Sequence, residues 1–241
     1  GKKSIREKES VHFGFPFNNI LMKTTLDAGY GTMQYLADQL PGSNMDYLYG
    51  RRWLDAVSAN RGIQWMFSET PLVEPGSMID ERKTINQSHK EWKTKGEFTS
   101  TWFSYVMNNY WHTNYKADQD GISHYHYALK IHGVPDPSQI EKNAFEFSQP
   151  LVAYAVNGNE NLTNELFELT NNKIVVTSIT PLERGFIIRL FNPESSSQQT
   201  GFYWRSLKPS RIINMNTQNV VTDTENLQLK GEALLDIKIT Q

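Results

Sequence analysis

Asn108-Asn109-Tyr110-Trp111-His112-Thr113-Asn114-Tyr115 is the stretch best equipped for chemistry. It combines aromatic faces with side-chain amides, a hydroxyl and an imidazole. Aromatic faces stack on the C–H faces of sugars, and amides offer the donors and acceptors that sugar hydroxyls require. Asn108, Asn109, Tyr110, Trp111, His112 and Asn114 are therefore candidate substrate-rim residues. A turn whose aromatics cap a β core would use the same composition, because aromatics are common in strands.

Acids are the next candidates, since sugar hydrolysis generally needs two carboxyl groups across a site. The sequence offers Glu69 with Glu74, Asp80 with Glu81, and Asp118 with Asp120. Each pair falls in a loop-like segment, where solvated acids are the ordinary case. In His124-Tyr125-His126, strand alternation would put both imidazoles on one face. With His112 they could form a three-histidine zinc set, but no acid stands at matched spacing. Asp118-Gln119-Asp120-Gly121 begins like a calcium loop. The twelfth position is Leu129 where Glu is needed, so a tight Asp-Gly turn is the better reading. Neither a glycine-rich phosphate loop nor a nucleophile elbow is present.

The elements that must hold these residues are mostly strands. Phe98 to Val106 precedes the aromatic run and Ser123 to Ile131 follows the turn. Val11 to Phe17 alternates bulky and small residues, with Pro16 confining it to an edge or a strand end. Trp53 and Val57 share a face with Arg51 and Asp55, and Ile63 to Ser68 forms another strand. Residues 77–97 are polar and aperiodic, which predicts a long surface loop. The single good helix signal runs from Ser138 to Phe147, with Ser138 and Glu141 as a capping box and Pro150 as the stop. Further strands are expected at Leu151–Val156, Ile174–Ile179, Gly185–Phe191, Thr200–Trp204, Arg211–Met215, Leu227–Leu229 and Ala233–Ile239. Alternation turns Phe13, Phe15, Trp65, Phe67, Trp102, Val106, Ile188 and Leu190 inward. Short strands at this spacing predict an all-β sandwich architecture.

The 241 residues suffice for one large β domain or two smaller ones. The polar hinge Asn157 to Asn161 marks the boundary, giving domains 1–156 and 157–241. The net charge of -2 is interspersed along the chain, so nucleic acid is not expected as a partner. There are no cysteines, which removes disulfides and thiolate metal sites. No apolar run approaches membrane-spanning length, and Gly1-Lys2-Lys3-Ser4 lacks a signal-peptide segment. The chain is expected to be a piece of a longer protein.

Several stretches, in order, resemble the C-terminal half of glycoside hydrolase family 38 α-mannosidases of the bacterial type. They are His12-Phe13-Gly14-Phe15-Pro16-Phe17, Arg51-Arg52-Trp53-Leu54-Asp55, and Gln64-Trp65-Met66-Phe67 running into Pro71-Leu72-Val73-Glu74. Asn108 to Asn114, Pro150-Leu151 and Gly185 to Pro193 continue the series. The resemblance covers the chain from about His12 onward. It implies the end of a galactose-mutarotase-like β-supersandwich followed by a small C-terminal β-sandwich. It also implies a retaining, zinc-dependent α-mannosidase as the parent polypeptide. There the zinc, its ligands and the aspartate nucleophile sit in an N-terminal catalytic barrel. No stretch here matches those motifs, so no catalytic residue, metal ligand or cofactor is carried over to this chain. The expected partners are that barrel and the mannoside substrate, with no membrane. A stand-alone carbohydrate-binding module, using Trp102, Trp111 or Tyr115 as platform, is the alternative. An aldose mutarotase with His112, His124 or His126 as acid is a further one.

Overall fold

The structure, a computed structural model, describes residues 9–17, 23–76, 93–109, 120–149, 151–153, 155, 165–206 and 208–240. It divides into two compact units, residues 1–135 and 136–241.

The first unit is a sandwich of two antiparallel sheets. Its strands are β1 (Glu9–Pro16), β2 (Lys23–Asp27), β3 (Thr32–Gln34), β4 (Leu48–Tyr49), β5 (Trp53–Ser58), β6 (Arg61–Phe67), β7 (Leu72–Pro75), β8 (Thr101–Asn109) and β9 (Tyr127–His132). One sheet runs β1-β8-β7-β4 and the other β3-β2-β5-β6-β9. The alternation in sequence explains the layers. Leu26, Leu54, Ala56, Trp65 and Phe67 from the five-stranded sheet meet Leu48, Val73 and Trp102 from the other in one buried cluster. Truncating an aromatic of this cluster such as Trp65 to Ala would cost about 3–5 kcal/mol. A short hydroxyl chain crosses the same layer. Tyr127 Oη donates to Ser104 Oγ at 2.9 Å, and Ser104 Oγ donates to Thr70 Oγ1 at 2.9 Å.

The second unit begins with the helix α1 (Pro137–Ser148). The strands β10 (Phe167–Leu169), β11 (Val175–Leu182), β12 (Gly185–Asn192), β13 (Gln198–Thr200), β14 (Phe202–Trp204), β15 (Arg211–Asn214), β16 (Asn219–Val220), β17 (Leu227–Leu229) and β18 (Ala233–Thr240) follow. Five of them form the sheet β11-β12-β18-β15-β16, and β10-β14 and β13-β17 are two-stranded. Ile188, Leu190, Ile237 and Ile239 fill the centre of its core. Asn192 is fully buried and donates from Nδ2 to the Ser196 and Lys230 carbonyls at 2.9 and 2.8 Å. Its Oδ1 accepts from Glu194 N–H at 3.1 Å, so one side chain pins the chain as it leaves β12.

The all-β expectation holds: α1 is the single helix among the described residues. No helix among them is long and apolar enough to cross a membrane. Several local expectations are corrected. The helix N-cap is Asp136, not Ser138. Asp136 Oδ1 accepts from Ser138 N–H and Gln139 N–H, and Pro137 occupies the first turn, where its missing donor costs nothing. The helix α1 falls in the compact unit 136–241, and the polar hinge at 157–161 lies outside the described residues. Residues 151–153 and 155 are exposed and carry no strand, because a period-two pattern without a pairing partner makes no sheet. Phe13 lies on the inward face with Phe15, where its ring meets Tyr127 edge-on at 6.1 Å, yet it is 41% exposed, because β1 is an edge strand with no neighbour beyond it among the described residues. Most of the polar 77–97 segment lies outside the described residues.

Candidate functional site

The aromatic–amide run starts at the tip of β8. Asn108 and Asn109 lie opposite Ser10 and Glu9 of β1, and Asn108 is exposed. Tyr110, Trp111, His112 and Asn114, with Thr113 and Tyr115, lie outside the described residues. The structure therefore shows where this run leaves the sheet and what holds the segment that follows it.

That following segment, Asp120 to His126, is an arm leading to β9. Gly121 adopts φ +105°, a region open to glycine. Tyr125 Oη donates to the Val106 carbonyl at 3.2 Å, tying the arm back to β8. The Tyr125 ring also meets Phe13 edge-on at 5.9 Å. Glu69, just beyond β6, grips His126 twice. Its Oε2 accepts the backbone N–H at 3.0 Å and its Oε1 lies 2.9 Å from ring Nδ1. Burial pushes the Glu69 carboxyl up, but the Ser68 hydroxyl and the His126 backbone and ring outweigh it and bring it down to about 2. His124 and His126 precede β9, so they do not share a strand face as alternation suggested. Among the described residues no three His, Asp or Glu side chains converge as a metal set.

A second cluster lies beneath the tip. The pairing of β1 with β8 carries a bulge between Val11 and His12, which brings His12 opposite Tyr105. His12 stacks on Tyr105 with centroids 4.3 Å apart and planes at 11°, and Tyr47 stacks on Tyr105 at 5.3 Å. His12 Nε2 lies 3.0 Å from Glu74 Oε2, an ion-pair distance whenever the ring is protonated, although without in-line hydrogen-bond geometry. Glu74 pairs across β7–β8 with Phe103 and is only 2% exposed. His12, Glu74, Phe103 and Tyr105 thus occupy the sheet face opposite the apolar cluster.

The direct His12–Glu74 contact leaves no room for a sugar ring between acid and base. Its effect is to lock β1, β8 and β7 together under the Asn108–Asn109 tip. Glu69 and Glu74, a candidate carboxylate pair by sequence, each serve a different histidine and do not face a common substrate. Asp120 is exposed, while Asp80, Glu81 and Asp118 lie outside the described residues. Trp102, a possible stacking platform, is buried in the core and cannot serve as one. The His12–Glu74 contact was not visible in the sequence, because the two residues sit on strands joined only through β8. The hint available was the polar residue His12 within an otherwise apolar alternation.

No family model matches the sequence, and no curated protein matches it. Among solved structures, the chain is similar to an α-mannosidase from Enterococcus faecalis V583, with TM-score 0.68 and 10% identity over 96% of this chain and 26% of that one. It is also similar to a protein in the glycosyl hydrolase family 38 from Enterococcus faecalis, with TM-score 0.67 and 11% identity over the same shares. The chain spans about a quarter of the length of these solved structures. At such identity the likeness is one of fold.

Proposed function

We propose that this chain is the C-terminal β region of a family 38-type α-mannosidase. The reading rests on one observation above others: the fold of a mannosidase matches over 96% of the chain. The ordered set of stretches from His12 to Pro193 supports it independently. The parent would cleave α-mannosides with retention, with zinc and nucleophile held in a barrel outside this chain. With no converging ligand set among the described residues, no step is assigned to zinc here. The chain itself hydrolyses nothing. It braces the barrel, and the run from Asn108 to Asn114 contributes to the rim of the substrate cleft.

The geometry supports such a bracing role. The tip of β8 is held from below by His12 and Glu74, and the arm beyond the run is held by Glu69 and Tyr125. A rim contact works only if its side chains are pre-placed, and these anchors hold the described residues on either side of the run. The test is to read the gene upstream and express the whole polypeptide. Release of nitrophenol from an aryl α-mannoside, lost with a chelator and restored by zinc, is expected of the whole and not of this chain. Hydrolysis by this chain alone would overturn the reading.

A further inference from the structure

Strand edges in the first unit are unequal. β1 is bulged between Val11 and His12 and ends in Pro16, β4 has two residues and β3 has three. Such short or proline-bearing edges are how sheets avoid pairing with other chains. β9 has none of these devices. Its six residues, Tyr127 to His132, contain no proline and pair with β6 without a bulge. No described strand lies beyond it.

The side chains of β9 match its bare backbone. Tyr127, Leu129 and Ile131 oppose Phe67, Trp65 and Ile63, so they lie on the core face of the sheet. Tyr127 is half-buried, but Leu129 is 56% and Ile131 80% exposed. The apolar layer thus continues past the point where the described residues cover it. Phe13, on the edge strand of the facing sheet, is also exposed. Lys130 points to the opposite face and does not interrupt the strip.

We propose that β9 is an acceptor edge, completed by an extended strand from the remainder of the parent polypeptide. That strand would form main-chain hydrogen bonds with β9 and lay alternate apolar residues beside Leu129 and Ile131. Its source follows from the proposed function, on which this inference rests. The mannosidase structures of this fold are about four times as long as this chain, so most of the polypeptide lies elsewhere.

Hydrogen exchange compares this chain with the whole polypeptide. In this chain the β9 amides pointing away from β6 exchange freely; in the whole polypeptide they become protected by about a hundredfold or more. Leu129→Lys and Ile131→Lys leave the Tm of this chain unchanged and lower that of the whole polypeptide. Free exchange of those amides in the whole polypeptide overturns the inference. So does protection in this chain alone accompanied by a doubled mass in light scattering, which would make a second copy the occupant. A whole polypeptide that protects β9 but cleaves no mannoside would sink the proposed function and leave the strand acceptor standing.

Discussion

His132 reaches across Gly62 to Asp55. Its Nε2 lies 2.7 Å from Asp55 Oδ1 while its Nδ1 lies 3.0 Å from the Gly133 carbonyl. The bridge skips a strand, since His132 is on β9, Gly62 on β6 and Asp55 on β5. Gly62 permits it: a methyl group there would stand 2.2 Å from the imidazole. Burial raises the Asp55 carboxyl, and the hydrogen bond and charge of His132 offset part of that rise.

Gly62→Ala should therefore expel the ring and leave Asp55 buried without this partner. A loss of about 1–3 kcal/mol in urea unfolding is expected. In a His132→Ala background the same glycine change should cost much less. Equal costs in both backgrounds would show that the clash with the ring is not the cause.

Arg52 and Asp27 form a pair with almost no solvent contact, Nε to Oδ2 at 2.8 Å. Arg52→Leu should destabilise by about 3–5 kcal/mol, because it strands a carboxylate in the interior. Adding Asp27→Asn should recover part of the loss, as the amide oxygen can still accept the Gly29 N–H that Oδ1 now takes. Thermal unfolding of the single and double variants is the measurement.

Acid should loosen the arm before β9. Glu69 falls from 4.5 to about 2 on folding, so its contribution to stability is present above pH 4.5 and disappears as pH drops toward about 2. Its side chain is 39% exposed, so solvent screening keeps the contribution small. Glu69→Gln should flatten the stability profile across that window. An unchanged profile would mean that Glu69 binds His126 no better than water does.

Rim residues are tested in the parent enzyme. Asn109→Ala or His112→Ala should lower kcat/KM by on the order of 1–3 kcal/mol in transition-state stabilisation. Stability of this chain should change little. Normal kinetics with a less stable chain would mark the run as a cap on the β core.

Much of this architecture was legible residue by residue. Leu227–Leu229 and the starts of β12, β15 and β18 fall where alternation and turn residues put them. These strands have one buried face, which writes a clear period. The misses share another cause. Asp55 shares a face with Trp53 as alternation indicates, but its burial could not be read, because β5 is an interior strand with Trp53, Leu54, Asp55 and Ala56 all buried. A strand covered on both faces loses its alternation. Leu151 and Val152 had the apolar content of a strand and lacked a partner, which no local window reveals. His12 with Glu74 and His132 with Asp55 depend on pairings between distant strands. Only the rim run was picked out by composition alone, and most of it lies beyond the described residues.

The pairing of β1 with β8 also sets an order of events during synthesis. Glu9 waits for Asn109, about one hundred residues later, whereas β2–β3 and β5–β6 can close as soon as each hairpin emerges. At translation rates of ~5–20 residues per second that wait lasts ~5–20 s. Throughout it, Val11, Phe13 and Phe15 travel on an unpaired strand. Loop closure on this scale is slow, so the β1–β8 union should be the late step of refolding. The nascent first unit is then a hairpin assembly holding its own first strand in reserve, and chaperone contact should concentrate on residues 11–17.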